Sequence, residues 1–448
     1  MFFGALLFLL DIFKNQIMKL SGPAVLLIFL ATITSFGQQR DVAALLQESA
    51  GLIQAGKFKE AEPILQRSVS LAPENSDCHN LLGIVFDQLG RPAQAEQEYR
   101  TAIRLNPKAV SPRANLGILL AKNKKQADAA QTFESVLTLD PNHPQTIVNL
   151  GLLYVALQKF SEAVPLLKRA ADIQPGSPDI KLKLGIALFR TNQQDDAERS
   201  LVDAMLLAPA NAEPVYYLGL IAFDRNQDEN AKAYFEKAVE LDPKHVSANF
   251  MLGELFARHQ SYAQAKPFYE KAVELDPTKP VHHIRLGGMY IYMSDFDSAL
   301  RVFQTAAERF PKVPEIQYFL ALSAKGKGDS NLAIEAVKTS LALKETADSN
   351  ALLGSILSDR NQAAEAEKFL RKAISLNPAH FNSNHDLGRL LIRQGRFAEA
   401  LPVLQKASSI MPENPDVHYE LFLAHSRLKQ KADADRELGI FKKLSGKN

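Results

Sequence analysis

The sequence predicts an all-α protein, an α-solenoid superhelix of about twelve 34-residue helix-turn-helix repeats. Three observations predict it. Pro73, Pro107, Pro141, Pro175, Pro209, Pro243, Pro277 and Pro311 lie 34 residues apart, and Pro378 and Pro412 resume the period after one missing member. Alanine holds position 20 of every unit, at Ala61, Ala95, Ala129, Ala163, Ala197, Ala231, Ala265, Ala299, Ala333, Ala366, Ala400 and Ala434. Glycine holds position 8 in nine of them, at Gly83, Gly117, Gly151, Gly185, Gly219, Gly253, Gly287, Gly354 and Gly388. A fixed period of this length belongs to helix pairs that bury their apolar faces only by stacking on neighbours, so it overrides the two to four globular domains that 448 residues would otherwise suggest.

Counting back 31 residues from each terminal proline starts unit one at Val42 and the next seven at 76, 110, 144, 178, 212, 246 and 280. Unit nine starts at Pro314, is one residue short and has Glu345 in place of proline; units at Ala347, Phe381 and Pro415 complete an array over 42–448. The unit Val246–Lys279 shows the internal logic. Leu252, Gly253 and Phe256 hold positions 7, 8 and 11 of its first helix, and Ala265, Tyr269, Ala272 and Pro277 hold 20, 24, 27 and 32. Glycine costs about 1 kcal/mol relative to alanine in a helix interior, so its recurrence at position 8 indicates close helix approach, with the alanine of position 20 opposite. Aromatic residues at positions 11 and 24 fill the gaps. Turns between paired helices are polar, as in Gln88-Leu89-Gly90-Arg91 and Arg225-Asn226-Gln227-Asp228. Pro63, Pro165, Pro267 and Pro402 share position 22, expected near the opening turn of the second helix, where proline is tolerated. The proline of position 32 ends that helix.

The ends of the array are atypical, with Ser49 and Phe422 at position 8 and a charged last helix, Lys431 to Leu444, expected to be a solvent-facing cap. The glycine-rich turn of unit nine, Lys325-Gly326-Lys327-Gly328-Asp329, together with the missing residue, reads as a deletion accepted by a loop. A joint between units 1–9 and 10–12 is the alternative.

The pattern of a Leu-Gly pair, an aromatic, spaced alanines and a final proline resembles the tetratricopeptide repeat family over about nine tenths of the chain. The resemblance implies that first helices line a concave groove, with positions 2, 5, 6, 9, 12 and 13 free to contact a ligand. In units six to nine those positions place aromatic and arginine residues together, the composition favoured at the energetic centres of protein interfaces. The expected partner-binding residues are Tyr216, Tyr217, Phe250, Met251, Arg258, Arg285, Tyr292, Tyr318 and Phe319, joined by Phe223 and Ile284, with Tyr217, Phe250, Arg285 and Tyr318 as principal contacts. Arg389, Arg393 and Arg427 in the last two units form a second patch suited to an acidic peptide or a carboxylate. Family members that clamp a chaperone's C-terminal carboxylate use Lys and Asn at set positions; Asn115 and Asn149 stand at position 6 here without the companion lysines.

Composition narrows the function further. With 52 Lys+Arg against 50 Asp+Glu, the net charge of +2 provides no field to hold nucleic acid. The single Cys78 closes no intramolecular disulfide and reads as a packed small residue. HExxH, GxSxG, GxxxxGK[ST] and GxGxxG are absent, so neither catalysis, metal nor cofactor is expected. His282 and His283 are expected at the surface, and His418 and His425 in packing or at the surface.

Lys19 precedes an apolar run from Pro23 to Ile33, and Ser35 and Gly37 precede Gln38 in the layout of a signal peptide. The run is shorter than the roughly 20 residues of a membrane span. Met18 reads as the initiator, residues 1–37 as a signal peptide or retained anchor, and 38–41 as a linker. The expectation is a non-enzymatic scaffold that binds a protein or peptide partner, exported to a bacterial periplasm or beyond. The alternatives are a regulatory subunit of a separately encoded envelope enzyme, such as a glycosyltransferase or peptidase, and a membrane-tethered assembly factor.

Overall fold

The computed structural model describes residues 41–446, and the leader or anchor expected at 1–37 lies outside them. Among the described residues there are twenty-four helices and no strand. The chain divides into two compact units between Ile221 and Ala222. The first contains α1 (41–54), α2 (Phe58–Leu71), α3 (Ser76–Gln88), α4 (Pro92–Leu105), α5 (Val110–Lys122), α6 (Gln126–Leu139), α7 (Pro144–Ala156), α8 (Phe160–Ile173), α9 (Pro178–Arg190), α10 (Gln194–Leu207) and most of α11 (Ala212–Asp224). The second continues with α12 (Asp228–Leu241), α13 (Val246–Arg258), α14 (Tyr262–Leu275), α15 (Pro280–Tyr292), α16 (Phe296–Arg309), α17 (Pro314–Lys327) and α18 (Ser330–Leu343). It ends with α19 (Ala347–Asp359), α20 (Ala363–Leu376), α21 (Phe381–Arg393), α22 (Phe397–Ile410), α23 (Pro415–Arg427) and α24 (Lys431–Ser445). Odd-numbered helices are the first of each repeat and even-numbered ones the second, so the fold is an all-α solenoid of helix-turn-helix repeats.

Each hairpin closes in the same way. The backbone N–H of position 16 returns to the carbonyl of position 11, as in Arg91 to Phe86 at 2.9 Å and Asp295 to Tyr290 at 2.9 Å, which satisfies a carbonyl that the ending helix leaves without a donor. That closure needs a left-handed residue at position 15. Gly56, Gly90, Gly328 and Gly395 supply it without strain, whereas Lys124, Gln158, Asn192, Asn226, Gln260, Ser294, Asn361 and Lys429 hold positive φ with a side chain attached.

Between paired helices the contact is closer than a Cβ allows. A Cβ built on Gly83 would stand 2.7 Å from the Tyr99 ring, and one on Gly185 2.6 Å from Leu201 Cγ. At eight of the position-8 glycines the atom met is the side chain of position 24, so the large residue of the second helix lies directly over the glycine. The position-20 alanines, all buried, lie beside it and present their backbone, as Ala197 O does 3.4 Å from the Gly185 Cβ site. The prolines of position 22 stand deeper than expected. Pro63, Pro165, Pro267 and Pro402 are each the sixth helical residue, beyond the opening turn, and each removes one i→i−4 bond.

Five junctions between successive repeats carry a side-chain clamp at position 4. The Nε2 atoms of His79, His283 and His418 lie 2.9, 3.1 and 2.9 Å from the carbonyls of Pro73, Pro277 and Pro412 in the preceding repeat. Asn249 and Asn384 donate to Pro243 O and Pro378 O in the same way, at 3.4 and 3.2 Å. This overturns the surface placement of His282 and His283, which are both buried. Neighbours on a helix do point apart, but the first turn of α15 sits beneath the end of α14, so His282 reaches Asp276 O at 3.0 Å while His283 reaches Pro277 O. His418 and His425 are buried too, His418 pairing through Nδ1 with Glu437 at 2.7 Å, which fastens α24 to α23. Cys78 is fully buried, and burial with the nearby Asp77 pushes its thiol up to about 11.

Repeat nine keeps its stacking without the terminal proline. Ser340 Oγ donates to Pro314 O at 3.0 Å and lies 3.1 Å from Ser349 Oγ, and Thr346 caps α19 by accepting from Ser349 N at 3.1 Å. The core of the second unit runs through it without a break, from Ala265 to Leu421, and the division of the chain falls in repeat six rather than after repeat nine.

Two substitutions separate the structural roles of these backbone sites. Gly83→Ala must push aside the Tyr99 ring and should cost about 1–3 kcal/mol in chemical denaturation. Gln158→Gly relieves a left-handed side chain and should gain about 0.5–1 kcal/mol.

Candidate partner-binding site

Helices α13, α15 and α17 present positions 5, 6, 9, 12 and 13 of consecutive repeats side by side, and together with Phe223 near the end of α11 they enclose a hollow of about 490 Å³ in the second unit. Arg258, Arg285, Tyr292 and Phe319 converge on it, with Phe223 and Ile284. Each arginine is held from behind. The Arg258 guanidinium lies 3.5 Å from the centre of the Phe223 ring while Nη1 donates to Asp228 Oδ1 at 2.7 Å, and Asp228 also contacts His259 Nε2 at 2.7 Å. Arg285 Nε sits 2.9 Å from Glu254 Oε1, and the Tyr269 hydroxyl donates to that same oxygen at 2.6 Å. Burial and the Glu254 carboxylate keep the Tyr269 phenol protonated far above the usual tyrosine range. The Arg285 side chain is half exposed, and among the described residues its terminal nitrogens make no hydrogen bond. Fixed geometry and free N–H edges together make a fork that matches a carboxylate.

The aromatic wall is equally ordered. Tyr262 and Tyr292 stack with centroids 5.3 Å apart and planes within 3°, and Tyr292 remains 74% exposed. Phe319 stacks on Phe303 at 5.5 Å and meets Tyr318 edge-on at 5.3 Å. It also borders a second hollow of about 310 Å³, with Tyr318, Ser340, Lys344 and Asp348. Burial and Asp348 push the Tyr318 hydroxyl up to about 12.

Several expected residues are elsewhere. Tyr216 and Tyr217 lie in the first unit, edge-on to each other at 5.3 Å, with Tyr217 also against Phe189 at 5.9 Å. Phe250 lines neither hollow because its ring is taken up in packing, 5.8 Å from Tyr269 and 5.1 Å from His282. Met251 is half-buried and lines neither. The second patch is not purely basic. Arg389 lies 3.4 Å from Glu420 and 3.6 Å from Asp386, and His385 lies 3.1 Å from Glu420, whose carboxyl burial raises above the usual range. Arg393 and Arg427 are exposed. Glu254 and Gly288 line the first hollow and were not singled out by sequence. Their signal is positional: position 9 is Ile84, Ile118, Leu152, Ile186, Leu220, Leu322 and Leu423 in seven other repeats, and these two, like Ser355 and Arg389, depart from that apolar run.

Among the described residues no helix is long and apolar enough to cross a membrane, and no group of His, Cys, Asp or Glu is arranged to hold a metal ion. Tetratricopeptide repeat models match residues 51–110, 80–144, 215–280 and 289–351, with further models of the same description at 154–221, 347–380 and 391–439. No curated protein matches the chain. Among solved structures, yeast Tom70 is 19% identical, with 88% of this chain and 97% of that one covered and a TM-score of 0.39. YrrB, a TPR protein with an unusual peptide-binding site, is 19% identical over 41% of this chain and 95% of its own, with a TM-score of 0.40. The APC/C hetero-tetramer Cut9-Hcn1 is 14% identical over 85% and 94%, with a TM-score of 0.43.

The phenols of Tyr290 and Tyr318, one buried and one half-buried, set an alkaline limit. Tyr290 and Tyr318 hold their protons to about 12, Tyr290 through burial and its bond to Glu270, whereas the unfolded chain releases them near pH 10. Their contribution to stability is therefore complete below pH 10 and is lost as pH rises from there through the folded values, because the unfolded state then binds fewer protons. Denaturant melts of the protein and of Tyr318→Phe between pH 8 and 11.5 should show a shallower alkaline decline in the variant; parallel curves would contradict this account.

Proposed function

We propose that this chain, which belongs to the tetratricopeptide repeat family, is a non-enzymatic scaffold that holds an extended segment of a partner protein along the first helices of its second unit. The observation that carries this reading is the first hollow, where the free edge of Arg285 stands beside the exposed face of Tyr292 and the ring of Phe319. Both hollows open on successive first helices and share Phe319. Packed helices are roughly 10 Å apart and an extended chain advances about 3.3–3.6 Å per residue, so about three residues of a bound segment pass each repeat. An extended segment thus meets the two hollows in turn, which a compact ligand does not.

The signal-peptide layout of residues 19–38 supports export to the periplasm or beyond. N-terminal sequencing of the processed protein should then begin at Gln38, and a start upstream of the apolar run would favour the tethered alternative.

The site is tested by affinity capture from the native envelope extract with residues 38–448, run beside the double variant Tyr292→Ala, Phe319→Ala. Loss of two anchoring aromatics should weaken the captured partner by about 2 kcal/mol or more, measured by titration once mass spectrometry has named it. Equal capture by a folded double variant would remove this site from the scaffold reading.

A further inference from the structure

Glycine inside a helix is unfavourable, and the position-8 glycines recover that cost through contact. A Cβ on Gly287, for example, would run into the Phe303 ring. Its neighbour Gly288 has no such reason. A Cβ there would meet no heavy atom within 4 Å, the residue is the ninth of thirteen in α15, and its backbone is not in the left-handed region. Gly51 and Gly439 also face open space, but they lie exposed in the first and last described helices, whereas Gly288 is half-buried and lines the first hollow. Seven other repeats fill the corresponding position with Ile or Leu. The empty place is walled by the aromatic side chains Phe223, Tyr262, Tyr292 and Phe319, and its rim carries Arg258 and Arg285 against the one carboxylate of Glu254. Asp228 stands behind Arg258 and does not line the hollow.

Resting on the scaffold reading above, we propose that Gly288 is a specificity-determining gap that admits one aromatic side chain of an extended partner segment, whose neighbouring Asp or Glu side chain is taken by the free edge of Arg285. An aromatic ring fits the flat walls by stacked and edge-on contact. A carboxylate beside it matches the excess of positive charge at the rim and the planar fork of Arg285.

The test uses residues 38–448 as bait for a displayed library of random twelve-residue peptides, followed by titration of the enriched peptides against variants. The unaltered protein should enrich Phe, Tyr or Trp flanked by Asp or Glu. Gly288→Leu should weaken those peptides at least about tenfold with an unfolding midpoint equal to or above the original. Gly288→Ala should raise the midpoint, and Arg285→Ala should keep the aromatic preference while losing the acidic one. A lower midpoint for Gly288→Ala would show a structural glycine and overturn the proposal. Peptides that Tyr292→Ala loses but Gly288→Leu binds as well as before would overturn the gap and leave the scaffold site standing. Peptides indifferent to both variants, or no enrichment at all, would overturn both.

Discussion

The contact on which the rest depends is the approach of position 8 to position 24, closest in the eight helix pairs where a glycine meets the position-24 side chain. A glycine in the first helix accepts the ring or branched side chain of the second at a distance that leaves no space for a Cβ, as Gly83 accepts Tyr99 and Gly253 accepts Tyr269. Packing at that distance buries the position-20 alanine completely and turns the apolar side of each pair toward its neighbours. Hairpin closure at position 15 then fixes the turn within each pair, and at five junctions the carbonyl clamp at position 4 ties one pair to the next. Because each of these contacts is local, stability accumulates repeat by repeat, and a local change can be absorbed locally. Repeat nine illustrates this: the hydroxyls of Ser340, Ser349 and Thr346 do what the proline of position 32 and its clamp do elsewhere.

The fold was legible because its defining contacts tolerate few residue types. Only glycine fits beneath the Tyr99 ring and only a small side chain fits at position 20, so chemistry and period coincide in the letters. The inter-repeat clamp was not legible for the opposite reason. A carbonyl accepts from histidine or asparagine alike, and only His79, Asn249, His283, Asn384 and His418 among the twelve position-4 residues make the bond, so no repeated letter betrays it. His282 and His283 looked like surface residues because helical direction was considered without the neighbouring repeat that covers them. Pro63 and its counterparts were placed too early in their helices because a residue count does not locate the first helical turn.

The candidate site was half legible. Groove positions found Arg258, Arg285, Tyr292 and Phe319, which do converge. They misjudged Phe250, since a half-buried ring on a first helix can turn inward to Tyr269 and His282 as readily as outward. Aromatic and basic residues alone do not reveal the acids around them, and Glu420 and Asp386 flank Arg389. Nor do they reveal absences, and the most informative lining residue, Gly288, has no side chain to notice.

Departures from the repeat's own rules therefore separate into two kinds. Where Ser340 replaces the usual alanine, a new hydrogen bond to Pro314 O accounts for the change within the fold. At position 9 of repeat eight no such compensation exists, and at position 9 of repeat seven the compensating bond, from the Tyr269 hydroxyl, is made at the wall of the first hollow. Glu254 replaces a half-buried aliphatic residue with a charge that steadies Arg285, and Gly288 removes side-chain bulk from a place where nothing packs. Local rules broken without structural return are expected where a surface has been shaped for something outside the chain. Gly288 is such a break, a space opened beside the arginine that Glu254 sets, and it points to a binding site through the economy of the fold itself, independently of the aromatic walls.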